Sequence, residues 1–211
     1  GRESHILNFE GGGMACLGGI MPLPADDPSG LPGISDMEAV LKPANNVHFV
    51  RARLVCLENT NNRRGGHAST PREISERAAW AHDQGLDVHI DGARLFNAAV
   101  ALGVKPADLV RDADSVQICL SKGLGAPMGS LVCASRAFIE RARFWRKRLG
   151  GGLRQAGIVA AAGLYALRHN IERLAEDHEN ARKIASILAD AGLDVFMAAC
   201  PTNMVYFRAK D

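Results

Sequence analysis

The sequence predicts an α/β fold built on a mostly parallel sheet, and three observations support this. Short apolar, partly β-branched runs alternate with helical patterns between residues 50 and 135. Capping residues mark where the helices begin. The chain has 211 residues, 47% of them hydrophobic, which is long and apolar enough for a sizeable core. Because parallel neighbours cannot be joined by a tight turn, strands that alternate with helices predict parallel pairing with helical crossovers.

The first unit of this pattern is a strand, a loop and a helix. Leu54–Leu57 is a short apolar run, and a polar, glycine-containing loop follows it. Thr70, Pro71 and Glu73 then supply an N-cap, a proline at the first helical position and a capping-box glutamate. A helix therefore begins here, and Gly85 can end it.

The pattern continues with three more strands and a short helix. The predicted strands are Leu86–Ile90, Ser115–Leu120 and Ser130–Ala134. The helix covers Ala93–Leu102 and closes at Gly103.

After residue 135 the chain is mainly helical. Three helices are predicted, a basic, an alanine-rich and a long polar-faced one: Arg136–Arg148, Arg154–Leu167 and Ile171–Ala191. Val195–Arg208 then resembles strands of a second, small domain. We place the domain boundary along the third helix, so that a large domain covers 1–170 and a linker helix with the start of the small domain covers 171–211. The chain begins with Gly1 and ends just after a strand-like run, so we expect part of a longer protein.

Composition limits the possible partners. Lys+Arg 25 against Asp+Glu 23 gives a formal net charge of +2, which does not favour binding to nucleic acid or to an anionic membrane surface. The basic run from Arg141 to Arg148 is interpreted as a solvated helix face. No apolar run reaches the roughly 18 residues of a membrane span. Five scattered cysteines without a CxxC spacing favour a reducing, cytoplasmic setting over a disulfide framework or a zinc site.

The candidate chemistry lies where predicted strands end. Asp91 ends the second strand and Lys122 follows the third. Ligands of open parallel sheets bind at the carboxyl ends of strands, so both side chains can face one crevice. Pyridoxal phosphate needs two such groups: a lysine that bonds to its aldehyde, and a carboxylate that keeps its pyridine nitrogen protonated. Taken singly, such residues more often serve as a surface charge and a turn former.

Other site types are less well supported. The glycines after Lys122 do not match GxGxxG, so a dinucleotide site is not predicted. His89 and Asp91 share one face of a strand, but no third ligand stands at a suitable spacing, so no metal site is predicted. For His82, His169 and His178, which fall in predicted helices, a surface or capping role is expected.

Several longer segments carry a resemblance to a known family. They are Glu58-Asn59-Thr60, His89 to Asn97, Cys119 to Ser130, Arg146-Lys147 followed by Gly150 to Gln155, and Asp177-His178. In this order the chain resembles the L-threonine aldolases of the β-eliminating lyase family, from His5 to Met204. The resemblance implies an aspartate-aminotransferase-like (fold-type I) large domain with flanking helices, and the start of a small C-terminal α+β domain.

The resemblance also implies roles for individual residues. Lys122 matches the lysine bonded to pyridoxal 5'-phosphate, and Asp91 matches the aspartate at the pyridine nitrogen. Arg94 matches an arginine that reaches the cofactor or the substrate carboxylate, for which a planar two-donor fork is suited. His5 matches the histidine that stacks on the cofactor ring, and His48 matches a second active-site histidine. Either histidine is a candidate base for the substrate β-hydroxyl.

Lys147 and Arg154 match basic residues that hold the cofactor phosphate or line the site of a neighbouring subunit in the family's tetramers. The resemblance thus implies a homotetramer or homodimer. It also implies that an N-terminal phosphate-binding segment and most of the small domain lie outside this chain. Asn61 stands where many members have histidine.

The implied reaction is cleavage of L-threonine, L-allo-threonine or a related β-hydroxy-α-amino acid to glycine and an aldehyde. Another pyridoxal-phosphate reaction and a non-catalytic structural role remain alternatives.

Overall fold

The fold is a four-stranded sheet with helices packed around it, in a computed structural model that describes residues 1–209. The strands lie in the order β1 (Leu54–Glu58), β2 (Asp87–Gly92), β3 (Ser115–Cys119) and β4 (Ser130–Ala134). The helices are α1 (His5–Asn8), α2 (Gly13–Gly18), α3 (Ile34–Val40), α4 (Pro71–Asp83), α5 (Leu95–Leu102), α6 (Arg136–Arg148), α7 (Gly157–His169) and α8 (Leu174–Asp190). A 3-10 turn covers Pro106–Leu109, and β5 (Asp194–Phe196) pairs with β6 (Tyr206–Arg208) in a separate antiparallel sheet.

The main sheet is parallel except at one edge. In the parallel pairs, Glu58 of β1 lies beside Asp91 of β2, and Gly92 lies beside Ile118 of β3. The sheet is mostly parallel, as predicted, and β4 at its edge runs antiparallel to β3. The reason is the connection, residues 120–129, which contains no helix that could carry the chain back across the sheet.

The predicted start of α4 is confirmed. The Thr70 hydroxyl accepts a hydrogen bond from the Glu73 amide at 3.3 Å, and the Glu73 carboxylate accepts one from the Thr70 amide at 2.7 Å. The helix ends before Gly85, whose φ of +71° lies in the left-handed region. Its inner face, with Ile74 and Ala78, joins β-strand residues such as Val88 and Ile90 in the main hydrophobic core.

A second hydrophobic cluster holds the connection between β3 and β4. Leu120 and Leu124 of this loop pack with Leu174 of α8 and Ala166 of α7. The side-chain amide of Asn170, between these helices, donates a hydrogen bond to the Leu124 carbonyl at 2.7 Å. α7 and α8 therefore fix the position of the loop that carries Lys122.

The C-terminal part folds back onto the loop after β1. The Ala68 amide donates to the Cys200 carbonyl at 3.1 Å, and the Thr202 hydroxyl donates to the Gly66 carbonyl at 2.7 Å. The division into 1–170 and 171–211 stays a prediction, and residues 210 and 211 lie outside the described residues. Within residues 1–209, no helix combines the length and the apolar character that crossing a membrane requires.

Three helices begin later than expected, and α5 is the first of them, at Leu95 rather than at Ala93. α7 starts at Gly157 rather than at Arg154, because Gln155 has a φ of +51°, which is incompatible with a right-handed helix. α8 starts at Leu174 rather than at Ile171. Arg154 consequently lies in a turn and not on a helix face.

Candidate active site

Three of the predicted site residues, Asp91, Arg94 and Lys122, lie at or just after the carboxyl ends of β2 and β3. Asp91 lies on β2 between Glu58 on β1 and Gln117 on β3. Its carboxylate accepts a hydrogen bond from the Ala93 amide at 3.1 Å, and its backbone carbonyl accepts one from the Asn59 amide at 2.9 Å. These bonds fix the half-buried Asp91 at the point where the sheet ends.

Arg94 follows Asp91 in the turn before α5. Its Nη1 donates a hydrogen bond to the Asn62 side-chain oxygen at 2.5 Å. Its Nε is buried and has no hydrogen-bond partner within residues 1–209, and the same holds for the Thr60 hydroxyl. Buried polar atoms are rarely left unpaired, so these two atoms are available to a bound polar group.

Glu58, at the end of β1, contacts two separate segments of the site. Its side chain is 4% exposed. Its carboxylate accepts a hydrogen bond from the His5 amide at 2.5 Å and another from the Asn62 amide at 2.9 Å. Burial raises the pKa of Glu58 above its ordinary value, although both hydrogen bonds act in the opposite direction. In the sequence Glu58 stood out only as part of a motif, without a role of its own.

Lys122 lies exposed on the loop after β3. Its backbone carbonyl accepts a hydrogen bond from the Gly125 amide at 2.8 Å, in a turn that Gly125 closes with a φ of +74°. Gly123 sits so close to α8 that a Cβ atom there would lie 2.8 Å from Leu174 Cδ2. Lys122 is therefore held by its neighbours while its own side chain faces the solvent.

The two candidate histidines have different surroundings. The His5 Nδ1 lies 2.9 Å from a Glu10 carboxylate oxygen, and its ring centroid is 5.2 Å from that of Phe9. His48 lies on the exposed segment between α3 and β1, where its amide donates to the Asn46 side chain. The structure links His5 to Glu58 and gives no such link for His48 within the described chain. Their catalytic roles stay predictions.

Lys147 and Arg154 are exposed near the end of α6 and in the turn before α7. Lys147 packs beside Gly152, where a Cβ atom would lie 2.7 Å from the lysine Cδ. Neither side chain forms an ion pair within residues 1–209. Their assignment to cofactor phosphate or to a neighbouring subunit stays a prediction.

His178 is buried, so the expected surface or capping role is wrong. It is 3% exposed, and its Nε2 lies 3.1 Å from the side-chain nitrogen of Asn97 on α5. Burial lowers the pKa of His178 below its ordinary value. The helical spacing of Leu174, His178, Ala181 and Ala185, the buried residues of α8, was the available signal.

His89 forms a hydrogen bond that gives it a structural role. Its Nδ1 lies 2.8 Å from the Ser115 hydroxyl on the neighbouring strand, and burial lowers its pKa. Within the described residues, no group of three or more His, Cys, Asp or Glu side chains is arranged to hold a metal ion. Asn61 is also structural, since its buried amide donates to the Gly30 carbonyl at 2.9 Å.

Comparison with known proteins identifies the family. The family described as beta-eliminating lyase matches residues 1–210. The chain belongs to the beta-eliminating lyase family. It is 45% identical over 213 residues to the low specificity L-threonine aldolase of Escherichia coli K12, covering 100% of this chain and 62% of that protein. It is 42% identical to the low-specificity L-threonine aldolase 1 of Arabidopsis thaliana, covering 100% of this chain and 60% of that protein.

The solved structures agree with the fold of this beta-eliminating lyase chain. The threonine aldolase of Leishmania major superposes with a TM-score of 0.80 at 23% sequence identity, over 98% of this chain and 60% of its own. This likeness confirms the fold-type I class, a mostly parallel sheet with flanking helices. The chain spans about three fifths of the length of the curated relatives that it matches.

Enzymes of this family depend on pyridoxal phosphate, and the residues at the sheet edge fit that cofactor. Asp91 near the end of β2 and Lys122 after the neighbouring β3 supply the carboxylate and the lysine that the cofactor's pyridine nitrogen and aldehyde require. The buried Arg94 Nε and Thr60 hydroxyl, which have no partner within residues 1–209, are further donors in the segments that follow β2 and β1. Asp91, Arg94 and Lys122 would hold the cofactor or its amino acid substrate here.

Proposed function

We propose that the protein cleaves L-threonine, L-allo-threonine or a related β-hydroxy-α-amino acid to glycine and an aldehyde, with pyridoxal 5'-phosphate as cofactor. The observation that carries the proposal is the position of Asp91, Arg94 and Lys122 at or just after the carboxyl ends of the adjacent strands β2 and β3. The names of the relatives from Escherichia coli and Arabidopsis thaliana support the same reaction.

The bound cofactor supplies an electron sink for the bond that breaks at the substrate Cα. Lys122 is the residue that would hold the cofactor through its aldehyde group. Asp91 would lie at the pyridine nitrogen and favour its protonated form, because a carboxylate stabilises a neighbouring positive charge. Arg94 binds the substrate carboxylate through its planar fork, which Asn62 orients from one side.

A histidine takes the proton from the substrate β-hydroxyl, and we propose His5 or His48 for this step. Imidazole has an ordinary pKa of about 6.5, so it can accept and return a proton near neutral pH. The Glu58 contact to the His5 amide supports His5 as a fixed element of the site.

We also propose that the protein works as a homotetramer or homodimer in the cytoplasm. Large apolar side chains on and after α6 are exposed, which is typical of a surface that another subunit covers. They are Phe144, Trp145, Leu149, Leu153, Ile158 and Tyr165. Lys147 and Arg154 lie in the same region and would then reach a neighbouring subunit's site. Sedimentation of the protein at its natural length tests this, and a stable, active monomer would contradict it.

The first test of the proposed function is borohydride reduction of the protein, at its natural length, in the presence of pyridoxal phosphate. Reduction makes a lysine–cofactor bond permanent, so peptide mass mapping should find one adduct, on Lys122. Lys122→Ala should abolish the adduct and the activity. The control Lys105→Ala removes another exposed lysine and should leave both intact.

Product analysis then decides the reaction. Acetaldehyde and glycine from L-threonine support the proposed cleavage, whereas a keto acid product would indicate elimination. The absence of any adduct on the wild-type protein would contradict the cofactor assignment itself.

A further inference from the structure

Glu58 joins two segments of the site that are distant in sequence. The Glu58 carboxylate contacts the His5 amide, 53 residues earlier in the chain, through Oε2. It contacts the Asn62 amide through Oε1. Each oxygen thus has its own main-chain donor, and one side chain sets the spacing between the start of α1 and the loop after β1.

Asn62 connects Glu58 to Arg94. The Asn62 side-chain oxygen accepts from Arg94 Nη1, and its carbonyl accepts from the Tyr206 hydroxyl at 3.0 Å. Asn62 is therefore fixed at three atoms, and only one of these fixed atoms belongs to its side chain. Glu58 holds the amide, so it acts on Arg94 through Asn62.

A purely structural role does not account well for a carboxylate at this position. Glu58 is almost fully buried and forms no ion pair within residues 1–209. A buried acid without a cation is unfavourable, and apolar residues often replace such groups without loss of stability. The Asp91 carboxylate on the neighbouring strand adds a like charge at the same sheet edge. These unfavourable contributions to stability are explained if the carboxylate is needed to place precisely the two segments that it contacts.

We propose that Glu58 is a positioning residue: its carboxylate fixes His5 and, through Asn62, Arg94 at the two sides of the substrate site. Glu58 touches neither the substrate nor the cofactor in this role. The inference deepens the proposed function and rests on it for the identity of the site.

The test compares Glu58→Gln with Glu73→Gln in the protein at its natural length. A glutamine at position 58 keeps the size but offers one acceptor oxygen for two donors, so one of the two main-chain bonds is lost. Glu73 is the matched control, because its carboxylate also accepts a main-chain amide, at 2.7 Å, but within the cap of α4. Both variants lose a carboxylate charge beside a main-chain amide, but only Glu58→Gln also leaves a main-chain donor without an acceptor, because Glu73 accepts both of its hydrogen bonds from Thr70 through one oxygen.

Hydrogen exchange followed by mass spectrometry measures whether the two segments that Glu58 contacts are held in place, and it needs no cofactor. We expect faster exchange in the peptides that contain His5 and Asn62 for Glu58→Gln, and unchanged exchange there for Glu73→Gln. With cofactor added, Glu58→Gln should lower kcat/KM by about 10- to 100-fold, the scale for a misplaced catalytic group. It should also change the circular dichroism of the bound cofactor, which Glu73→Gln should not.

A second variant keeps the test decisive if Glu58→Gln does not fold. Asn62→Ala leaves the main-chain amide on Glu58 and removes the oxygen that holds Arg94. We expect a raised KM with little change in kcat. Wild-type values in both variants, or equal behaviour of Glu58→Gln and Glu73→Gln, would overturn the inference. Failure of the proposed function would look different, because the wild-type protein itself would then form no Lys122 adduct.

Discussion

Gly92 is predicted to be essential for the sheet edge that carries Asp91. It is the last residue of β2, and a Cβ atom there would lie 2.8 Å from the Gln117 carbonyl oxygen of β3. The same atom would lie 3.1 Å from Leu95 Cβ and 3.2 Å from Val116 Cγ2. The closest of these contacts is to main chain, so no side-chain rotation can relieve it. Gly92→Ala must push β2 and β3 apart.

The size of the effect follows from these distances. The contact to Gln117 falls 0.6 Å short of the 3.4 Å at which ordinary contact begins. Overpacking of a well-packed interior costs about 1–3 kcal/mol, and the main-chain contact places this case at the upper end. Alanine also restricts the unfolded chain more than glycine does, which stabilises the folded protein by about 0.4–1 kcal/mol. We expect a net loss of about 1–2.6 kcal/mol, or a Tm lower by roughly 2–10 °C for a chain of this size.

Thermal unfolding followed by circular dichroism measures the loss, with Gly157→Ala as the control. Gly157 begins α7, and a Cβ atom added there would have no neighbouring atom within 4 Å. Alanine is favoured over glycine in a helix by about 0.5–1 kcal/mol, so the control should be neutral or more stable. A Gly92→Ala protein as stable as the wild type would refute the reasoning, since it would mean that β2 and β3 tolerate the separation.

Two further predictions concern α8 and the Lys122 loop. Burial holds the pKa of His178 below its ordinary value, so its contribution to stability is present above about pH 6.5 and is lost as the pH falls through the lowered value. His178→Gln should therefore flatten the fall in unfolding free energy below pH 6.5 by at most about 1.4 kcal/mol per pH unit. A slope equal to that of the wild type in denaturant titrations at several pH values would contradict this. Gly123→Ala should destabilise the protein by about 1–3 kcal/mol, because the added Cβ would lie 2.8 Å from Leu174 Cδ2. It should also slow formation of the Lys122 adduct. An unchanged rate of adduct formation would show that the loop position does not depend on this contact.

The sequence predicted the elements that have strong local signals. The capping box at Thr70 and Glu73, the closing glycine at 103 and the basic helix Arg136–Arg148 are all where they were expected. These signals act within one or two helical turns, so they can be identified without tertiary contacts. The short helices α1, α2 and α3 were not predicted, because helices of seven residues or fewer have too few turns for a hydrophobic period.

The direction of β4 and the burial of His178 depend on contacts between distant segments. β4 looks like any other strand in sequence, and only the course of residues 120–129 makes it antiparallel. His178 is buried because α8 packs on α5, where Asn97 supplies a polar partner. Asp91 and Lys122 could be placed at one edge from topology alone, whereas the contacts of Glu58 join residues 53 positions apart and have no local signature.

The two sides of the candidate site are supported by different parts of the chain. Asp91 and Arg94 depend on the sheet and on the loop after β1, through Glu58 and Asn62. Lys122 depends on α7 and α8, through the Leu124 carbonyl and the packing against Leu174.

The contact between His178 and Asn97 joins these two supports, because Asn97 belongs to α5, which begins directly after Arg94. A Cβ atom at Gly123 would lie 3.6 Å from the Asn97 side-chain oxygen, so the lysine loop passes close to the same amide. We expect the buried contacts of Asn97 to influence the distance between Lys122 and Arg94. Substitutions there should alter the geometry of the site without removing any group that touches the substrate.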